Sequence, residues 1–139
     1  MISDPGYKLV RECLAQKIPV DSIPGPSSVI NALILSGLPP DKFMFLGYLP
    51  EKPGHRKKLI ETLGSNLKGC KLTYIIFVAP HKLIRVLEEM QEIYGDIEVT
   101  LAHELTKIHQ SVETKKISEW LSALRSPKGE YVLCFRLME

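Results

Sequence analysis

Four short clusters in this chain carry side chains suited to chemistry. Pro24, Gly25, Pro26, Ser27 and Ser28 make a tight turn that runs into small residues at a helix start. Such a turn leaves backbone N–H groups facing outward, open to a polar ligand, although it serves equally well as a domain linker with a helix cap. Lys52, His55, Arg56, Lys57 and Lys58 fall within one seven-residue stretch, opposed only by Glu51. They form either a solvated helix face or a patch for a phosphate backbone. Ala79, Pro80, His81 and Lys82 stand where a buried strand gives way to a helix, the usual place for sites in α/β folds, although proline opens many helices without any further role. Glu104, Leu105, Thr106 and Lys107 follow another strand end. Glu104 and Thr106 can hydrogen-bond a polar ligand or each other.

Composition excludes several other chemistries. The four histidines show neither HExxH nor paired-cysteine spacing, so no metal site is expected. Cys13, Cys70 and Cys134 are odd in number and lack a CxxC pattern; they read as free thiols packed as small hydrophobes in a reducing cytoplasm. A net charge of +2 is too small to imply nucleic acid, so any basic surface is local. No signal peptide is read at the N-terminus. The longest apolar run, residues 74–80, falls far short of the ~20 residues that cross a membrane. The expectation is a cytoplasmic protein with no membrane partner.

The elements that must position these clusters alternate along the 139 residues. Asp4 and Pro5 predict a helix over 5–17, with apolar Leu9, Val10, Cys13 and Leu14 at helical spacing. A short strand over 18–23 follows, with no neighbouring strand in sequence to pair with. Ser27 or Ser28 should cap a helix ending at Gly37 and Pro39. Strands are expected over 42–48, 72–78, 98–103, 110–116 and 131–137. Helices are expected over 55–63, 80–94 and 118–125, with a turn at 64–69. Strand 110–116 follows its predecessor without a helix, so the pair is a hairpin, and its lysines place it near an edge. The fold class is α/β, a mixed five-stranded sheet with flanking helices over 27–139, preceded by a helix–strand remnant of another domain over 1–26.

Taken in order, ISDPG, IPGPS, SGLP, GYLPEK, APHK and HELTK resemble one family closely. The series is similar to that of the bacterial ribosomal RNA small subunit methyltransferase I family, within the tetrapyrrole methylase superfamily. There the motifs read approximately ISDPG, IPGPSA, SGLP, GFLPRK, YESPHR and RELTK. The resemblance spans essentially the whole chain. It implies two α/β domains, with S-adenosylmethionine in the cleft between them, and 2′-O-methylation of a cytidine ribose in small-subunit ribosomal RNA. Such a transfer depends mainly on aligning the ribose hydroxyl with the methyl group and removing its proton. Carried over by position, Pro24, Gly25, Pro26, Ser27, Ser28, Leu49, Pro50, Pro80, His81, Glu104, Leu105 and Thr106 would border the cofactor. Lys52, Arg56, Lys57, Lys58, Lys82 and Lys107 would meet the RNA. No residue is nominated as a catalytic base.

The chain departs from the family pattern in two ways. Met1 stands where the family has a glycine inside a DAGTPGISDPG-like loop, and an upstream ATPIGN-like loop has no counterpart; the expectation is a chain that starts inside an active-site loop. Val78 and Ala79 replace a glutamate and a serine, Lys82 and His103 replace arginines, and Gln110 replaces a glutamate. Lysine for arginine keeps the charge but loses the planar fork. Three readings follow. A separate polypeptide supplies the first domain and rebuilds the enzyme, or the chain is a catalytically inactive fragment, or it is an RNA-binding or dimerising module. In each, the first helix and the strand over 18–23, without a home sheet, should dock on a second copy of the chain, exchange between copies or be disordered, and a homodimer is expected.

Overall fold

The computed structural model describes residues 3, 5–65 and 71–137. The order is α1 (Tyr7–Ala15), α2 (Ser28–Ser36), β1 (Phe43–Tyr48), α3 (Pro53–Ser65), β2 (Thr73–Val78), α4 (Pro80–Tyr94), β3 (Glu98–His103), β4 (Ser111–Lys116), α5 (Ile117–Ala123) and β5 (Tyr131–Arg136). The five strands form one sheet in the order β1-β2-β5-β3-β4. Among the described residues only β1 and β2 pair in parallel; β5 runs antiparallel to both β2 and β3, and β3 pairs antiparallel with β4. The sheet is therefore mixed, and the lysine-bearing β4 lies at its edge, as its composition predicts.

Strand periodicity divides the core in two. Tyr74, Ile76 and Val78 of β2 point to one face, where they join Ile60 of α3, Leu83, Val86, Leu87 and Met90 of α4, and Ile117 and Trp120 of α5. Ile75 points to the other face, with Ala102, Val132 and Cys134, and meets Val29, Ala32 and Leu33 of α2. The α4 residues repeat at three- and four-residue intervals, which puts all of them on one stripe. Full burial of each such aliphatic side chain stabilises the fold by roughly 1.5–3 kcal/mol. Pro80 opens α4 and Gly95, at φ 76°, ends it.

The N-terminal region departs from expectation. Residues 18–23 form no strand; Ile18, Val20 and Ile23 are exposed on a chain without regular structure. Pro19 within the stretch and Pro24 just after it lack the N–H that a ladder needs, and none of the five described strands pairs with the segment. Helix α1 buries none of its residues, leaving Leu9 and Leu14 exposed on its apolar side. It ends two residues before the expected stop. The Ile18 N–H donates to Cys13 O at 2.9 Å and the Lys17 N–H to Leu14 O at 3.1 Å, with Lys17 itself left-handed at φ 58°. That is the Schellman arrangement with lysine in the glycine position. The expected cap at Asp4, the thiol of Cys70 and most of the 64–69 turn lie outside the described residues. Helix α3 runs on through Ser65, past the expected end at 63. Ser118 does not cap α5; its N–H and Oγ both donate to the Asp96 carboxylate at 2.8 Å, pinning the helix start to the end of α4.

Candidate functional site

One end of the sheet carries the strand ends that bear on the candidate site. Parallel β1 and β2 finish there at Tyr48 and Val78, β3 finishes at His103, and antiparallel β5 begins at Tyr131, paired with both Val78 and His103. Crevices outside the carboxyl ends of parallel strands are where α/β sheets bind ligands. Two cavities open here, of about 550 and 270 Å³. Tyr48, Phe77, Val78 and Ala79 line both, so they form a shared ridge. A bulge between Phe45 and Tyr48, with Gly47 at φ 67°, turns Tyr48 onto this ridge, where its ring lies 5.5 Å from Phe77.

The larger cavity lies between the loop after β1 and the first turn of α4. Leu49, Pro50, Glu51, Arg56, His81 and Lys82 line it beside the ridge. The loop is held twice. Glu51 pairs with Lys82, and that hydrogen bond and charge hold the Glu51 carboxyl below its usual range. Arg56 reaches back to donate from Nη1 to Pro50 O at 3.1 Å and to Glu51 O at 2.9 Å. Its Nε and Nη2 donate to the two carboxylate oxygens of Glu89 at 2.5 and 2.7 Å. Both partners are buried. The hydrogen bond to Glu89 raises the Arg56 pKa, and the same bond lowers that of Glu89, outweighing desolvation in each case.

The smaller cavity lies between the start of α2 and the ends of β3 and β5. Ser28, Pro80, Leu105, Gly129, Glu130 and Tyr131 line it with the ridge. Its rim is a braced loop. Glu104 and Thr106 have φ of 49° and 67°, uncommon for side-chain-bearing residues. The Glu130 N–H donates to Glu104 Oε1 at 2.8 Å, and Lys107 Nζ bridges Glu104 and Glu130 at 3.0 Å each. The hydrogen bond from Lys107 lowers the Glu104 pKa most, followed by the Glu130 amide. The Thr106 N–H donates to Gln110 Oε1 at 2.6 Å. His103 Nε2 lies 2.8 Å from Lys128 O, so that nitrogen carries the proton, and its ring stacks on Tyr131 at 4.4 Å.

The sequence-predicted residues divide accordingly. Leu49, Pro50 and His81 come together in the larger cavity, and Ser28, Pro80 and Leu105 in the smaller. Pro24, Gly25, Pro26 and Ser27 line neither; they form an irregular lead-in to α2, and the Ser27 carbonyl accepts the Asn31 N–H at 2.9 Å. Glu104 and Thr106 brace the rim and line neither of these two cavities. Arg56 corrects the reading of the basic run as one exposed patch: it turns inward because Glu89 and two carbonyls offer partners that water would otherwise supply. Lys57 pairs with Glu92 at 2.6 Å, Lys82 with Glu51, and Lys107 with two glutamates. Lys52 and Lys58 are exposed. Sequence reasoning missed Tyr48, Phe77, Gly129, Glu130 and Tyr131 as lining residues and Glu89 as the anchor. Gly47 beside Tyr48 was the one local signal for any of them.

The departures from the motif series also find places. Gln110 supplies through its amide oxygen the acceptor that a glutamate oxygen would present to Thr106. Val78 and Ala79 make the cavity floor apolar at the point where a carboxylate and a hydroxyl would stand.

Comparison with known proteins agrees with this geometry. The family model described as Tetrapyrrole (Corrin/Porphyrin) Methylases matches residues 1–120. A protein of Thermotoga maritima named ribosomal RNA small subunit methyltransferase I is 41% identical over 132 residues, covering 94% of this chain and 57% of the relative. A protein of the same name from Rickettsia prowazekii is 42% identical over 135 residues, covering 96% and 47%. This chain therefore spans about half the length of the curated relatives it matches. Among solved structures, a cobalt precorrin-4 methyltransferase superposes with a TM-score of 0.63 at 15% identity, covering 94% of this chain and 57% of its own. The methyltransferase CobJ gives 0.61 at 16%, covering 92% and 57%. At such identities the likeness shows the fold alone, but the sequence relatives and the family model carry the assignment further: the chain belongs to the tetrapyrrole (corrin/porphyrin) methylase family.

Proposed function

We propose that this chain supplies one wall of the methyl-donor cleft of an S-adenosylmethionine-dependent methyltransferase acting on small-subunit ribosomal RNA. The observation that carries the reading is the convergence of Ser28, Leu49, Pro50, Pro80, His81 and Leu105, scattered in sequence, on two adjoining cavities at one sheet end. The relatives named ribosomal RNA small subunit methyltransferase I support the substrate class. Methylation of a cytidine ribose at the 2′-oxygen is the finer form of the same reading, and a ribosomal substrate supports a cytoplasmic location.

The residues present fit such a donor as half a site. The floor is apolar and carries the rings of Tyr48, Phe77 and Tyr131, suited to an adenine face. Lys82 at the cavity rim is neutralised by Glu51, so it does not repel a sulfonium. The smaller cavity, at about 270 Å³, lies below the ~300–1,000 Å³ of pockets that enclose a ligand. When bound, the donor supplies an electrophilic methyl group. The residues of this chain would bind and orient it: Leu49, Pro50 and His81 from the larger cavity, and Ser28, Pro80 and Leu105 from the smaller. With the donor seated, their apolar side chains would keep water from the floor and strengthen the polar contacts there.

The complementary wall would come from a first domain of the kind that the longer relatives have room for, with 27–139 acting as the second. Co-expression with the front half of a relative tests this. Recovery of a complex that transfers methyl groups to small-subunit RNA is expected; failure to recover both complex and transfer would overturn it. A second reading, a catalytically inactive dimerising or RNA-binding module, is favoured by the uncovered apolar side of α1. It predicts a homodimer and salt-sensitive RNA binding with no methyl transfer in any combination.

A further inference from the structure

Arg56 makes more contacts than a buried ion pair requires. A pair serving only to join α3 to α4 would need Nε and one terminal nitrogen against Glu89, and those contacts are made. The other terminal nitrogen donates to two consecutive carbonyls, those of Pro50 and Glu51, in the loop that lines the larger cavity. A planar guanidinium presents its donors in a rigid fork, so fixing one side on Glu89 fixes the direction of the other. Arg85 Nε also approaches Glu89 at 3.4 Å, steadying the anchor. The loop is thus strapped to α4 at two places: at Lys82 through the Glu51 side chain, and at Glu89 through Arg56 and the backbone.

Buried ion pairs contribute little beyond what apolar residues of equal volume would. What distinguishes this one is what it holds. We propose that Arg56 is a positioning residue of the cleft: anchored on Glu89, it fixes the Pro50 and Glu51 carbonyls, and thereby sets the affinity of the larger cavity for the methyl donor. The proposal rests on the methyl-donor reading, since it names that donor as the occupant. Its action runs through the loop rather than through charge facing RNA, which separates Arg56 from Lys52 and Lys58 in role.

Two variants of the full chain test it. Arg56→Met combined with Glu89→Met fills the interior without leaving an unpaired charge, so the protein stays folded. Arg56→Lys keeps a cation opposite Glu89, but a single ammonium lacks the fork needed to hold the carboxylate and both carbonyls. Backbone order parameters are read by NMR relaxation at Leu49, Glu51 and Lys52, with Ile75–Phe77 as the internal control. Affinity for S-adenosylhomocysteine is read by titration, with the chain alone and with the front-half polypeptide. In both variants the loop values are expected to fall from the rigid range of about 0.85 to below about 0.6, while the strand values hold. Affinity is expected to fall at least tenfold. A folded double variant whose loop stays rigid would overturn the proposal, as would a loosened loop with unchanged affinity. Wild-type protein that binds no S-adenosylhomocysteine in either setting overturns the methyl-donor reading instead. The order parameters then still decide whether Arg56 holds the loop.

Discussion

Gly129 and Glu104 approach more closely than any side chain at position 129 would allow: a Cβ there would lie 2.6 Å from Glu104 Oε1 and 2.8 Å from His103 Nε2. The glycine also sits at φ 82°. The 127–130 turn can therefore lie against the 104–107 loop, which lets the Glu104 carboxylate accept the Glu130 amide. Gly129→Ala should cost about 1–3 kcal/mol through backbone strain and displacement of Glu104. The midpoint of urea denaturation measures this, and an unchanged midpoint would show that the turn relaxes freely.

Removing one partner of the buried pair should cost far more than removing both. Arg56→Ala leaves the Glu89 charge and two carbonyls unpaired, with an expected loss of about 3–5 kcal/mol. Arg56→Met with Glu89→Met leaves no buried charge and only the two loop carbonyls without their donor, so it should cost much less than the single variant. Chemical denaturation of the three proteins decides this; equal losses in the single and double variants would contradict it.

Acid should weaken the fold through these carboxylates. Glu89 and Glu104 are both held below their ordinary value of 4.5, chiefly by hydrogen bonds from Arg56 and Lys107 respectively. Their folded-state values lie below the unfolded ones, so the unfolded chain binds protons first as pH falls. The stability they contribute is fully present above about pH 4.5 and is lost as pH drops through the depressed values. Urea midpoints between pH 7 and pH 3 should decline at the acid end, and the Arg56→Met/Glu89→Met variant should decline less steeply. Parallel curves would remove Glu89 from the account.

RNA contact, if it runs through the basic run, belongs to its exposed members. Lys52→Ala and Lys58→Ala should each weaken binding to a small-subunit RNA fragment and reduce the salt slope by about 1. Lys57→Ala should do less, because Lys57 already pairs with Glu92. Fluorescence anisotropy across a salt series measures both quantities; slopes unaltered in all three variants would exclude this face.

The apolar side of α1 gives a further expectation. Leu9→Ser with Leu14→Ser should shift a dimer toward monomer in sedimentation velocity, because these side chains are exposed and make no part of either core. A wild-type monomer, or a variant dimer of undiminished stability, would place any self-association elsewhere.

The order of elements, the mixed sheet and the edge position of β4 were legible in the sequence. Local rules decide them: the spacing of Leu83, Val86, Leu87 and Met90, the stops at Gly37 and Gly95, and the short continuous apolar run in 73–78. The ordered motif series also identified the family. The misread strand at 18–23 shows the limit, since apolar residues of strand type form a strand only where another strand pairs with them, and no local pattern reports whether one does.

Tertiary structure decided what the polar residues do. Lys52, Arg56, Lys57 and Lys58 look alike in sequence, yet Arg56 is buried and Lys52 and Lys58 are exposed. The difference comes from Glu89, 33 residues away, and from two backbone carbonyls, because a charge enters the interior only where partners replace its water. In the same way Glu104 became a brace, and Tyr48, Phe77 and Val78 became the ridge between two cavities. Hydrophobic period is written along the chain, whereas pairing of polar groups depends on which distant atoms the packed sheet brings within hydrogen-bond reach.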